Sequence, residues 1–230
     1  MGLGKVAGVG VEEKRLISEI VNRVLKSIDV SSIGIRSLNL KPFEVLVAVI
    51  LSQKTNRENV RKALESFRKE FKSVEEVASA RVSRIGRAIR PAGLWRMKAP
   101  RIKLIAKQVS ELENGLDEIL RLPYPDAKKA LSSMKGIGPK TADVFLMIAR
   151  DEQVLPIDTH IFRVMRRLGI AGEREDYESL RMKLESAVKP EMRMTAHLAL
   201  IEFGREICKA RNPKCGECPL AELCPSRAKA

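Results

Sequence analysis

Cys208, Cys215, Cys218 and Cys224 are the only cysteines of the chain, and they fall within 17 residues in the spacing C-x6-C-x2-C-x5-C. Four thiolates this close can surround one soft metal centre. Zinc ribbons usually bring two C-x2-C pairs, one for each half of the site. Here only Cys215 and Cys218 form such a pair, and the other gaps are six and five residues. Irregular four-cysteine runs of this kind are more typical of an iron–sulfur cluster. Taken alone, the run leaves zinc open and names no reaction.

A second feature is the run from Leu131 to Ala142, L-S-S-M-K-G-I-G-P-K-T-A. Gly136 and Gly138, on either side of Ile137, are expected to take positive φ and to let another backbone approach. Pro139 suits the first position of a helix, where no amide donor is needed. The free amides of that helix would face outward with a positive dipole, and a DNA phosphate is their natural partner. Such a contact carries no sequence information. An ordinary corner between two helices would explain G-x-G alone. Lys140 follows at once. An ordinary lysine is protonated near neutrality, and a helix N-terminus helps to lower its pKa. Further on stands L-P-I-D-T-H-I-F-R-V, with Asp158 opening an expected helix. By itself Asp158 reads as an N-cap. A carboxylate fixed in a cleft would instead stabilise positive charge or help to activate a nucleophile.

The elements that must position these residues read as helices. Leu16, Ile17, Ile20, Val21, Val24 and Leu25 fall at helical spacing within 11–26. Pro42 suits the first turn of a helix over 43–52, whose continuous apolar run predicts burial on most sides. Further helices are expected at 56–71, 74–80, 82–89, 98–112, 126–134, 139–150, 159–168, 177–187 and 194–208. Pro91-Ala92-Gly93 and Pro123-Tyr124-Pro125 are breaks. No hairpin turn stands between two alternating runs, so the expected class is all-α.

With 230 residues the chain can form one large domain or two small ones. Lys and Arg total 43 against 29 Asp and Glu, and a net charge of +14 favours a polyanionic partner such as nucleic acid. A basic surface of the kind thermophile proteins carry is the plainer account. Three glutamines, six asparagines and 31% charged residues point to a thermophilic source. No apolar run approaches the roughly 18 residues of a membrane span, and no long apolar signal region opens the chain. A cytoplasmic setting follows, in which clustered cysteines read as metal ligands rather than disulfides.

In combination these motifs say more. The K-G-I-G-P-K-T-A hairpin, then P-I-D-T-H, then the four-cysteine run resemble the ordered signature of the endonuclease III family of DNA glycosylases, from about Pro42 to Cys224. Gly93-Leu94-Trp95-Arg96-Met97-Lys98-Ala99 and Glu202-Phe203-Gly204-Arg205 agree with it. The resemblance implies a two-lobed, all-α helix–hairpin–helix fold. A six-helix lobe would cover 38–140, and the N-terminal helix of 1–37 would join 141–230 in a discontinuous lobe, with the active cleft between lobes. It implies Cys208, Cys215, Cys218 and Cys224 as ligands of a [4Fe–4S] cluster. It implies Lys140 as nucleophile at C1′ of the sugar and Asp158 as catalytic aspartate. The partner would be damaged double-stranded DNA, the protein a monomer near the nucleoid, and the substrates oxidised, ring-saturated or fragmented pyrimidines. Adenine and thymine–guanine mismatch glycosylases of the superfamily place a different residue at Lys140 and are mainly monofunctional. A lysine there implies AP lyase activity as well.

The resemblance also assigns DNA contacts. Gly136, Ile137 and Gly138 would grip a phosphate. Gln53, in L-S-Q-K-T-N-R, would fill the gap left by an extruded nucleotide, although Lys54 and Asn56 depart from the family's loop. Leu94 would be a wedge on the opposite strand, with core packing as its alternative; Trp95 would stack or pack. Lys209, Arg211 and Lys214, in the first cluster loop, would contact backbone phosphates. His160 reads as structural and His197 as a packed histidine. The rival readings are a T/G or U/G mismatch glycosylase, a non-catalytic helix–hairpin–helix DNA-binding protein, and a zinc protein.

Overall fold

The computed structural model describes residues 9–30 and 39–227. The sequence opens on a Gly/Val-rich stretch over residues 1–11, for which a frayed end is expected, and this stretch lies almost wholly outside the described residues. Among the described residues every regular element is helical, with twelve α-helices and no strand. None of these helices is long and apolar enough to cross a membrane. The chain divides into two compact units, Gly34–Glu152 and the combination of Met1–Ile33 with Gln153–Ala230.

In the first unit, α2 (Pro42–Leu51) is its buried centre: Phe43 and every residue from Val45 to Leu51 are buried. Pro42 occupies the first turn, and the Lys41 amide donates to Glu44 Oε2 at 2.9 Å. Around α2 pack α3 (Arg57–Glu70), α6 (Trp95–Ser110), α7 (Gly115–Leu120) and α9 (Pro139–Ala149). The helices α4 (Val74–Ser79) and α5 (Val82–Ala88) lie against α6, and α8 (Tyr124–Ser133) against α9. The unit thus holds eight α-helices among its described residues rather than the expected six. Its boundary falls after Glu152 rather than at 140, because α9 packs on α2 and α8 and cannot be separated from them. Two helices were not foreseen as they stand. The helix α7 has six residues and no apolar period long enough to read. The helix α6 begins at Trp95, three residues before the expected Lys98, directly behind the break at Gly93.

The second unit packs α1 (Val11–Ser27) on α12 (Arg193–Glu206), with α10 (Thr159–Arg167) and α11 (Tyr177–Glu185) beside them. Its core joins Ile17, Ile20, Val21 and Val24 of α1 to Ile161, Val164, Met165, Leu200 and Phe203. The spacing that marked α1 as amphipathic is therefore the face it buries. Gly204 permits the close approach of α10 to α12, since a Cβ there would stand 2.9 Å from His160 Cβ. Cys208, Cys218 and Cys224 lie against the edge of the same core.

Candidate active site and cluster loop

The hairpin between α8 and α9 is built from a buried plug and a glycine at positive φ. Ile137 is buried and its amide donates to Met134 O at 3.0 Å. Gly136 has φ +96°, which an L side chain rarely adopts. Gly138 corrects the expectation of two positive angles: with φ −94° and ψ 171° it is an extended N-cap. Its glycine serves another purpose, because a Cβ there would meet no atom within 4 Å and so would project into open space. Pro139 opens α9, and Lys140, half-buried, is the second residue of the helix. The first-turn amides of Lys140 and Thr141 have no helical acceptors, and no side chain caps this end. At the base of the hairpin, buried Asp143 accepts from Tyr124 Oη at 2.9 Å and pairs with Lys128 Nζ at 2.9 Å, joining α8 to α9.

The other residues expected to meet DNA in this unit divide in two. Gln53 is half-buried, and its Oε1 accepts from Arg101 Nη1 at 2.9 Å. Beside it, Lys54 has φ +52° and is exposed. Asn56 is the N-cap of α3, its Oδ1 accepting from the Asn59 amide at 2.9 Å. Asparagine and aspartate do this equally well, so that departure from the family loop costs the helix nothing. Leu94 is the N-cap of α6 in the left-handed region (φ 48°) and is 46% exposed, so core packing is not its role. A strained, exposed leucine is costly to keep and suggests use. Trp95 packs instead, its ring close enough to Gly86 that a Cβ there would stand 2.7 Å away.

Asp158 caps α10. Its Oδ1 accepts from the amides of His160 at 2.8 Å and Ile161 at 2.9 Å. Both of these bonds fall on Oδ1, so one carboxylate oxygen holds the start of the helix. The segment leading to it is pinned at three points. Arg193 donates to Gln153 O at 2.6 Å, the Leu155 amide to Glu185 Oε1 at 2.8 Å, and His197 Nδ1 to Pro156 O at 2.7 Å. A carbonyl can only accept, so His197 carries its proton on Nδ1. His160 Nδ1 accepts from Arg163 Nη2 at 3.1 Å, and burial lowers its pKa, keeping the ring neutral. Lys140 and Asp158 belong to different units.

The four cysteines, together with Arg167, Ile207, Pro213, Lys214 and Ser226, line a cavity of about 330 Å³. None forms a disulfide. Burial raises the pKa of the Cys218 thiol, and the other three cysteines raise it further, so all four sulfurs act on one space. Among the described residues no three His, Cys, Asp or Glu side chains form a site for a single metal ion. The donor set and the room suit a [4Fe–4S] cluster, to whose irons Cys208, Cys215, Cys218 and Cys224 would each supply one thiolate. Arg167 pins the loop between the first two cysteines, donating to Lys209 O at 2.6 Å and Ala210 O at 3.2 Å, and reaching Cys208 Sγ at 3.3 Å. Lys209, Arg211 and Lys214 are exposed on that loop, and Lys214 pairs with Glu217 at 3.4 Å.

Sequence reasoning missed the residues that hold these parts, above all Lys98, Arg101, Arg163 and Arg167. Lys98 left a trace: it occupies a core position in the apolar stripe Lys98, Ile102, Ile105, Val109 of α6, where a lysine needs a buried acceptor.

A helical two-unit chain with a capped aspartate, a lysine at a helix–hairpin–helix and a four-thiol loop defines a class. Residues 47–190 match the HhH-GPD superfamily of base excision DNA repair proteins, and residues 208–224 match the iron–sulfur binding domain of endonuclease III, ending on the first and last cysteines. Endonuclease III of Thermotoga maritima is 32% identical over 183 residues, covering 80% of this chain and 82% of that protein. That of Sulfolobus acidocaldarius is 35% identical over 187 residues, covering 79% and 81%. A solved structure of a trapped endonuclease III–DNA covalent intermediate superimposes with a TM-score of 0.79 at 27% identity, covering 94% of this chain and 97% of that one. The chain belongs to the endonuclease III family, and it is a DNA glycosylase with an iron–sulfur cluster.

Proposed function

We propose that the protein excises oxidised or ring-damaged pyrimidines from duplex DNA and then nicks the strand 3′ of the site by β-elimination. The observation that carries the reading is the position of Lys140, in the first turn of α9 behind an uncapped helix end. Helix amides favour negative charge nearby and disfavour a protonated amine, so they help to supply the neutral nucleophile. The Lys140 amine attacks C1′ and the base departs with the electrons of the glycosidic bond. Asp158, through its carboxylate, balances the positive charge that develops on the sugar. The attached amine, having lost its proton, drives open the C1′–O4′ bond as O4′ takes up a proton from solvent; the resulting Schiff base acidifies C2′, and loss of that proton expels the 3′ phosphate. A trapped covalent intermediate of an endonuclease III is consistent with this route.

In this reading Gly136 and Gly138, held on either side of the buried Ile137, present the hairpin backbone to a phosphate, while Gln53 and Leu94 occupy the space of the extruded nucleotide. Extrusion costs roughly a few kcal/mol, so such fillers are needed. Lys209, Arg211 and Lys214 meet backbone phosphates. Cys208, Cys215, Cys218 and Cys224 would hold the [4Fe–4S] cluster, which supplies four iron–thiolate bonds that fix this basic loop. One chain carries every assigned residue, so a monomer suffices, working wherever duplex DNA is kept.

A panel of duplexes carrying oxidised pyrimidines, T/G and U/G mismatches, with and without borohydride, tests the reading. Excision of oxidised pyrimidines with strand nicking supports it. Excision confined to mismatches without nicking would establish a mismatch glycosylase, and binding without excision a non-catalytic protein. Iron and acid-labile sulfide in equal amounts are expected in the purified protein; zinc without iron would remove the cluster assignment.

A further inference from the structure

Lys98 and Arg101 lie one turn apart on α6, and their side chains reach all three DNA-facing segments of the first unit. Lys98 Nζ donates to Leu51 O at 2.8 Å and to Ala92 O at 2.9 Å. One buried ammonium thus fixes the backbone two residues before Gln53 and two residues before Leu94. Arg101 continues the link through side chains. Its Nε donates to Gly136 O at 2.6 Å, its Nη1 to Gln53 Oε1 at 2.9 Å, and its Nη2 reaches Thr141 Oγ1 at 3.4 Å. Its Cγ also occupies the space a Cβ on Gly136 would approach to 3.3 Å. The guanidinium is a planar fork with fixed donor directions, so the position of one acceptor constrains the others.

We propose that Arg101 is a positioning residue that ties the gap-filling loop of Gln53 to the helix–hairpin–helix, so that the grip on the phosphate and the filling of the vacated stack act as one piece. The proposal rests on the reading of Gln53 as the gap filler. A glutamine free in solvent must give up its rotamer freedom when it enters the helix. One already ordered by Arg101 has given up part of it before DNA arrives, which leaves more of the binding energy for extrusion. A bare structural arginine would satisfy carbonyls equally well but would not make the effects of residues 53 and 101 depend on each other.

The test compares wild type, Arg101→Lys, Gln53→Ala and the double variant on a lesion-containing duplex with 2-aminopurine beside the lesion. Arg101→Lys keeps the charge and loses the fork; Arg101→Gln replaces it should the lysine variant melt early. Single-turnover excision by the Arg101 variant is expected to fall about tenfold, as small misplacements of positioning groups do. The 2-aminopurine signal of unstacking should fall with it, while the melting temperature and the affinity for undamaged duplex stay near wild type. Gln53→Ala should cost far less in the Arg101 background than alone, the mark of coupled residues. If Arg101→Lys excises like wild type, or if the two losses simply multiply while Gln53→Ala alone is slow, the link is refuted and the gap-filling reading survives. If Gln53→Ala alone excises like wild type, the gap-filling reading fails and the proposal fails with it.

Discussion

The N-termini of α9 and α10 each hold one of the two residues assigned to catalysis, and they are finished in opposite ways. At α9 the cap is a glycine, no side chain caps the helix, and a Cβ on that glycine would meet no atom within 4 Å. At α10 the cap is Asp158 itself, whose Oδ1 takes the amides of His160 and Ile161. In the proposed reading the first end receives a backbone phosphate of the DNA. The second is already capped through one carboxylate oxygen. Substrate recognition and fixed electrostatics are thus built from the same element, a helix end, by the choice of one capping residue.

Substitutions at the two ends should separate these roles. The largest effect is expected for Lys140→Ala, which should lower single-turnover excision by on the order of a millionfold, the scale seen when a covalent nucleophile is removed. Asp158→Asn should slow excision by about a hundredfold, the scale for loss of one fixed electrostatic partner, with little change in melting temperature because asparagine caps as well as aspartate. Asp158→Ala should lose as much activity and in addition about 1 kcal/mol of stability. If the alanine and asparagine variants melt alike, Oδ1 is not holding α10. At the hairpin, Gly136→Ala should cost about 1–2 kcal/mol because the backbone there is left-handed. Gly138→Ala should leave stability intact and weaken binding to undamaged duplex, since its new methyl projects only into open space. Equal melting losses for the two glycine variants would contradict the contrast.

The smallest effect concerns pH. Burial lowers the pKa of His160 from its ordinary 6.5, so the unfolded chain binds this proton more readily than the folded one. His160 therefore contributes no loss above that pH, and stability should decline as pH falls below 6.5 toward its lower folded value. His160→Gln should flatten that part of the melting-temperature profile.

Much of this was legible in the residues, because local signals and tertiary demands agree there. The apolar spacing of α1, Pro42 before a continuous apolar helix, and Pro139 behind two glycines each name an element by one mechanism. The cluster cysteines and the helix ends at Lys140 and Asp158 were legible for the same reason, as each stands beside a proline, a cap or another ligand. The parts that stayed hidden depend on partners distant in sequence. Arg101 meets Gly136 across 35 residues and Gln53 across 48, and His197 meets Pro156 across 41. Nothing local marks such bonds. Gly138 shows the reverse: the residue type was read correctly as special, but its use is open space rather than a positive angle.

The central claim is that the Lys140 amine becomes covalently bound to the deoxyribose. Borohydride reduction during turnover on a duplex carrying an oxidised pyrimidine, followed by digestion and mass analysis of the adduct, tests it directly. The account predicts a single modified peptide with the sugar remnant on Lys140, absent from Lys140→Ala. A wild-type protein that releases the base yet forms no adduct, or an adduct mapped to another residue, would contradict it.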